Sequence, residues 1–214
     1  MLTKFFRSGD EVVTVIAGSG PETTRKFIIH KEFACSHSPV LNAAFNGGFI
    51  EGQTQTYELK DTEGEVMQLL TRWLYTQTVP FELIPRGAEG FNEKFFRNTY
   101  SAVRLWVLAD MLLIIQLQND ISDYILAQHG KGRVATHCVK YVFGNTLAGS
   151  PLRQLFVMIC ALYCVDDAYK SNPQRYPPEF FQEFVEFFSK HREVAIDHLT
   201  VKKEEFHVRA RPPS

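Results

Sequence analysis

The sequence predicts an α+β fold, in which a small three-stranded sheet packs with a helical cluster and an all-helical C-terminal region follows. Two observations support this prediction. Short β-branched segments, divided by glycine-rich and polar turns, lie within about the first 60 residues. Beyond them, apolar side chains recur at the spacing of amphipathic helices along most of the chain. We expect one β-containing domain over residues 1–129 and a helical C-terminal extension over residues 130–214.

The composition and the net charge indicate which kinds of partner and which compartment to expect. The 214 residues, 45% of them hydrophobic, are enough for a buried core. Lys and Arg number 23 against 24 Asp and Glu, so the net charge of −1 gives no electrostatic reason to expect a nucleic acid or an anionic membrane as partner. The four cysteines are too few for a disulfide framework, which indicates a reducing compartment. We expect a soluble intracellular protein of the nucleus or the cytoplasm.

The first two strands are predicted to form a hairpin. The segment "VVTVIAG" (12–18) is β-branched, "GSGPETTR" is a turn, and "KFIIH" (26–30) is a second apolar run. The glycines at 18 and 20 could instead cradle a phosphate, but such a loop needs a helix directly after the glycines. The apolar run that follows favours the hairpin.

Short helices and a third strand are predicted after the hairpin. Ser38 followed by Pro39 is typical of a helix N-terminus, and two glycines at 47 and 48 end that helix. Thr62 and Glu65 have the spacing of a capping box before an amphipathic helix. We therefore predict helices over 31–37, 39–46 and 65–77, and a strand over "QTQTYEL" (53–59).

The second half of the chain is predicted to be helical after an exposed loop. The loop covers 78–98, with a short helix near 91–96. Five helical segments follow over 101–114, 117–129, 134–146, 150–170 and 177–199, with a small basic break at 130–133. The last segment carries a phenylalanine stripe, for which a core face is favoured over an aromatic binding groove; its members are Phe180, Phe181, Phe184, Phe187 and Phe188.

His30 is the first candidate for catalysis, because its protonation equilibrium lies near neutral pH. A general base needs a nucleophile or acid at bonding distance, and no recognised motif supplies one. Ser36, His37 and Ser38 are close in sequence, but that is not the geometry of a triad. A structural role is favoured, in which the His30 ring bonds backbone groups at a turn and the Lys31 ammonium stays in water.

Metal and acid–base sites are disfavoured too. Cys160 and Cys164 share a helical face, but no second pair follows at zinc-finger spacing. Asp110 lies in an apolar helix, where a buried charge without a partner costs on the order of several kcal/mol. It should therefore face a partner or the edge of a pocket. We expect no catalytic residue, no cofactor and no metal.

Six short motifs follow one another in order between positions 12 and 125. They are Phe27-Ile28-Ile29-His30-Lys31, Cys35-Ser36-His37-Ser38-Pro39, Phe45-Asn46-Gly47-Gly48-Phe49-Ile50-Glu51, Tyr57-Glu58-Leu59-x-Asp61, Leu70-x-x-Trp73-Leu74-Tyr75-Thr76 and Leu105-Trp106-Val107-Leu108-Ala109-Asp110. Together they resemble a BTB (POZ) domain, and the versions common in filamentous fungi above all. The resemblance assigns His30, Lys31 and Asp110 to the structural motif of the family.

The resemblance implies a three-stranded sheet against helices and a function in protein–protein interaction. Some family members carry substrates to cullin-type ubiquitin ligases through an apolar-x-Glu motif, which Phe49-Ile50-Glu51 matches. These three residues are the candidate partner-binding site, although Phe49 could equally be a core plug. The chain begins too close to its first strand to supply the extra N-terminal strand of many animal members, so we expect any homodimer to form without a strand swap.

Two classes of function are left by the sequence. The favoured one is a non-catalytic module that binds other proteins, by self-association, as an adaptor, or both. The alternative is an enzyme with an unrecognised site in the 78–98 loop or in the C-terminal helices, which would need a pocket with convergent polar groups.

Overall fold

The computed structural model describes residues 10–85, 89–129, 134–164, 168–191 and 202–210. The chain divides into two compact units, Met1–Pro80 with Leu108–Leu117, and Phe81–Val107 with Gln118–Ser214. The predicted break at 130–133 lies outside the described residues, so a domain boundary there stays a prediction.

The fold is α+β, as predicted. Up to residue 128 the chain contains β1 (Val12–Ala17), β2 (Arg25–His30), α1 (Lys31–His37), α2 (Pro39–Asn46), α3 (Ile50–Thr54), β3 (Thr56–Leu59), α4 (Gly64–Thr76), α5 (Phe91–Met111) and α6 (Ile115–Gln128). The rest of the chain contains α7 (Val139–Asn145), α8 (Pro151–Tyr163), α9 (Ala168–Ser171) and α10 (Pro178–Lys190), with 3-10 turns at Thr136–Cys138, Pro173–Arg175 and Lys203–Phe206.

The sheet has the strand order β2-β1-β3, with β1 antiparallel to β2 and parallel to β3. Val12 lies opposite His30 and Thr14 opposite Thr56, which sets the register. One face of β1 is buried through Val13 and Val15, as the two-residue period of a strand requires. The hairpin prediction is confirmed, because Gly20 leads through a turn into β2 and not into a helix.

The third strand is shorter than predicted. Residues 53 and 54 end α3, and β3 begins only at Thr56. Between them Gln55 adopts a left-handed conformation with φ of 49°, held by hydrogen bonds from its side-chain amide to the Phe45 carbonyl at 3.1 Å and the Gly52 carbonyl at 2.6 Å. The alternating Gln and Thr residues contain too few apolar side chains to distinguish a helical turn from a strand.

Helix α5 is one continuous helix, where the sequence indicated a short helix near 91–96 and a separate one over 101–114. Phe95 and Thr99, one turn apart, are buried, so the packed face continues through residues that are weak helix formers. The helix ends at Met111, because Leu113 has a φ of 55°. Packing therefore overrides local propensity at the N-terminal end of α5.

The two predicted helix caps have different outcomes. The Ser38 hydroxyl accepts a hydrogen bond from the Leu41 amide at 3.1 Å, so the predicted N-cap of α2 is confirmed. The prediction of a capping box at Thr62 and Glu65 is wrong. Helix α4 begins at Gly64 with Glu63 as its N-cap, and no side chain caps it. The helix starts one residue beyond the position that a Thr62 cap requires.

Each unit has its own core. In the first unit, α4 packs against β2 and α1 and contributes Met67, Leu70 and Trp73. In the second unit, the Trp106 indole N–H donates to the Ser122 hydroxyl at 3.1 Å, so both buried polar groups are satisfied.

The phenylalanine stripe of α10 is only partly a core face. Phe180 is fully buried and meets Phe143 edge to face, with ring centroids 5.6 Å apart. Phe181 is 42% exposed. No helix within the described ranges is long and apolar enough to cross a membrane.

We expect Ser38→Ala to lower the free energy of unfolding by about 1–3 kcal/mol. The buried Ser38 hydroxyl caps α2 and also donates to the Leu112 carbonyl at 2.7 Å, so its removal leaves two backbone groups without this partner. Urea denaturation followed by circular dichroism measures the loss. Ser36→Ala is the control, because the Ser36 hydroxyl is exposed and donates to the Phe33 carbonyl at 3.3 Å. Equal losses in both variants would contradict the role of Ser38.

Candidate protein-interaction site

The predicted partner-binding residues lie together at the start of α3. Phe49 is the residue before the helix, and Ile50 and Glu51 form its first turn. Phe49 is 64% exposed and Ile50 is 63% exposed, whereas Glu51 is half-buried. Phe49 is therefore not a core plug, and two large apolar side chains stand next to one carboxylate on the surface.

The backbone around Phe49 is held by two glycines. A Cβ atom at Gly47 would overlap the Ala43 carbonyl oxygen and lie 3.1 Å from the Phe49 ring. A Cβ atom at Gly52 would overlap the Gly47 carbonyl oxygen. Because side chains do not fit at either position, the end of α2 and the start of α3 approach each other closely and fix the direction in which Phe49 projects.

An open groove of about 340 Å³ lies beside Phe49. Its lining is mostly apolar and comes from α2, the start of α3 and β3, through Val40, Ala43, Ala44, Phe49, Glu51 and Tyr57. Such a groove can receive an apolar side chain of a partner, while the carboxylate at its edge can accept a hydrogen bond or pair with a cation.

His30 lies at the end of the edge strand β2 and bonds a side chain, which corrects the expectation that its ring bonds backbone groups. The His30 amide N–H donates to the Tyr75 hydroxyl oxygen at 3.1 Å. The same hydroxyl lies 2.8 Å from Nδ1 of the His30 ring.

The His30 ring belongs to a surface cluster on the outer face of the sheet, which we name the sheet-face patch. Its aromatic members are in contact, with the Phe33 and Tyr75 ring centroids 4.8 Å apart and both within 6.1 Å of the His30 ring. Val12 lies opposite His30, and Ile28 lies two residues away on the same face of β2. All four apolar members are exposed, Ile28 to 69%.

Lys31 is half-buried, whereas Asp110 is exposed. The Lys31 ammonium lies 3.5 Å from the Glu11 carboxylate and its side chain is only 19% exposed, so it does not stay in open water. Asp110 is exposed in the last turn of α5, between buried residues and the turn at Leu113. Its carboxylate reaches the surface, so the cost of a buried charge does not arise.

The three polar residues at 36–38 do not form a catalytic group. Ser38 is buried as a helix cap, and the exposed Ser36 hydroxyl bonds the Phe33 carbonyl. Nε2 of His37 lies 3.1 Å from the Gln77 side-chain amide, and partial burial lowers the pKa of His37. Among the described residues, no three His, Cys, Asp or Glu side chains converge as ligands for a metal ion.

The sequence does not identify two contacts that join distant segments of the chain. Tyr75 was recognised only as part of a motif, and its bond to His30 spans 45 residues of sequence. Asn119 and Asp123 lie on one face of α6 because they are four residues apart, but this spacing does not indicate which segment they bind. No local signal identifies the distant segments that these residues contact.

Comparison with known proteins agrees with the geometry. The family model of the BTB/POZ domain matches residues 4–128, more than half of the chain. No curated protein matches the chain significantly. From the sheet, the helical cluster and this match, the chain belongs to the BTB/POZ domain family, whose domains are protein–protein interaction modules.

Proposed function

We propose that this BTB/POZ protein is a non-catalytic intracellular adaptor of the fungal type, with a helical extension over 130–214, and that it binds a cullin-type ubiquitin-ligase scaffold. The observation that carries the proposal is the exposed pair Phe49 and Ile50, held beside an open apolar groove.

The energetics of this site favour a protein partner. Covering an exposed Phe or Ile side chain contributes roughly 1.5–3 kcal/mol each by removal of apolar surface from water. Two such anchors at a backbone fixed by Gly47 and Gly52 lose little conformational freedom on binding. They therefore have the properties of an interface hot spot, with the Glu51 carboxylate available for pairing.

The cullin is proposed on the pattern of the three residues. An apolar side chain, one intervening residue and a glutamate follow the second helix here, as in the family members that bind cullins. The half-buried Glu51 lines the same groove as Phe49, so both can contact one partner surface.

Self-association is the second candidate function, and the sheet-face patch supports it. The exposed apolar residues Val12 and Ile28 adjoin the aromatic cluster on a sheet face that β2 and β1 share. A second copy placed on this face would bury apolar surface on both sides, and a stable dimer needs roughly 800 Å² from each partner. An enzymatic site in the 78–98 loop or the C-terminal helices stays the alternative.

We expect Phe49→Ala to weaken binding of a purified cullin N-terminal region at least about 10-fold, and Glu51→Ala to weaken it as well. The cause is loss of the main apolar anchor and of the adjacent carboxylate. Titration calorimetry measures the affinity. Leu147→Ala removes another exposed apolar side chain, 86% exposed, and should leave the affinity unchanged. A wild-type chain without cullin affinity, or a Phe49→Ala chain that binds normally, refutes the cullin proposal.

We expect Gly47→Ala to lower the free energy of unfolding by about 1–3 kcal/mol and to weaken the same binding, because the new methyl group displaces the Ala43 carbonyl or the Phe49 ring. Gly48→Ala is the matched control, because a Cβ there meets no atom within 4 Å. Chemical denaturation and calorimetry together separate the two variants. If Gly47 tolerates alanine as Gly48 does, the close approach does not position Phe49.

We expect Ile28→Asp to weaken self-association at least about 10-fold, because a carboxylate would be buried in an apolar contact. Sedimentation velocity over a range of concentrations measures the effect. Val185→Asp places the same charge at another site that is 63% exposed and should change nothing. A chain that is monomeric at every concentration would exclude this interface.

A further inference from the structure

The segment 202–210, which we name the strap, lies against α6 and α8 within the second unit. It consists of the 3-10 turn Lys203–Phe206 followed by residues without regular structure. Three kinds of contact hold it, and all of them come from the six residues 203–208.

The first contact is with the backbone of the strap. The Val208 amide N–H donates to Oδ1 of Asn119 at 2.7 Å, and Nδ2 of Asn119 donates to the Val208 carbonyl at 3.3 Å. One side-chain amide thereby satisfies both polar groups of one residue, as a neighbouring β-strand would. This pair of bonds recognises an extended peptide and does not depend on the side chain at position 208.

The second contact is electrostatic and lies one helical turn further along α6. Asp123 accepts from the Lys203 ammonium through Oδ2 at 2.7 Å and from Nε2 of His207 through Oδ1 at 2.8 Å. Burial raises the pKa of the Asp123 carboxyl, but the bonds from Lys203 and His207 outweigh burial and hold that pKa below its usual value. Asp123 is therefore a charged acceptor that selects cationic side chains.

The third contact is apolar. Phe206 is only 7% exposed, and the 3-10 turn that carries it packs on α8. Its ring lines a cavity of about 690 Å³ together with Val157, Met158 and Phe187. A buried aromatic side chain combined with polar contacts to the same segment is an arrangement by which a short peptide is recognised in a groove.

From these contacts we infer that Asn119, Asp123 and the adjoining surface of α8 form a peptide-binding site that accepts, in trans, the strap of a second copy of this chain. The strap itself indicates this occupant, because the Lys203 ammonium, the Phe206 ring and the Val208 backbone match the site in spacing and charge. Exchange between two copies keeps every one of these contacts, and the loss of freedom on association opposes it. The site is separate from the Phe49 groove and from the sheet-face patch, and it does not rest on the proposed function of either.

The test uses two full-length variants, each with Ile28→Asp to remove association through the sheet-face patch. One carries Asn119→Ala and Asp123→Ala, so it has a strap without a site. The other, which we name the strap variant, carries Lys203→Ala and Phe206→Ala, so it has an intact site but a strap that cannot bind. We expect each variant alone to sediment as a monomer, and a mixture of the two to form a 1:1 complex.

A synthetic peptide of residues 202–210, followed by fluorescence anisotropy, gives the affinity directly. We expect it to bind the strap variant at least about 10-fold more tightly than the wild-type chain, whose tethered strap competes at high local concentration. Phe206→Ala in the peptide should weaken binding at least about 10-fold, whereas Glu204→Gln should not, because Glu204 is exposed. In the protein, Asn145→Ala repeats the asparagine substitution at an exposed position and should leave the affinity unchanged.

The inference is overturned if the mixture contains no complex while both variants keep the circular dichroism of the wild type. It is also overturned if a complex forms when the strap variant additionally carries Asn119→Ala, or if the peptide binds but the chains do not. Should Phe206→Ala unfold the strap variant, Lys203→Ala with His207→Ala weakens the strap through its exposed and half-buried polar residues instead. The same outcomes then decide the inference.

Discussion

The first unit depends on one buried hydroxyl. Ser38 accepts from the Leu41 amide at the start of α2 and donates to the Leu112 carbonyl, which follows the end of α5. Both backbone groups lie near a helix end, where backbone groups need partners from outside the helix, and Ser38 itself is fully buried. A single side chain thereby joins residues 74 positions apart and ties the turn after α5 to the helices that follow the sheet.

Close packing of the backbone also determines which side chains α2 and α3 expose. Ser38 fixes where α2 begins, and Gly47 fixes where it ends, because any side chain there would meet the Ala43 carbonyl. Gly52 then lets α3 fold back onto that end. Phe49 is left on the outside of this turn with its ring in solvent, so its exposure follows from the close packing of the backbone behind it.

The second unit is held differently at its C-terminal segment. There the contacts are polar side chains of one helix, Asn119 and Asp123, that bind backbone and cations of a short stretch of chain. Such contacts are local to a few residues and bury only one aromatic ring. Contacts of this kind can also bind a peptide ligand, and in this they differ from the apolar packing around Trp106.

The sequence by itself determined the features that a few neighbouring residues specify. The β1–β2 hairpin, the Ser38 cap and the apolar face of α4 follow from local periodicity and turn chemistry, and the order of motifs indicated the family before any coordinates. The α5 helix and the start of β3 differ from prediction, because Thr99 is held by burial and Gln55 by bonds to Phe45 and Gly52. Only the tertiary structure decided that Tyr75 bonds His30 and that Asn119 binds Val208, since these partners lie 45 and 89 residues apart. Helix and strand periods report which face of an element is apolar, and they carry no information about which distant polar group that face will meet.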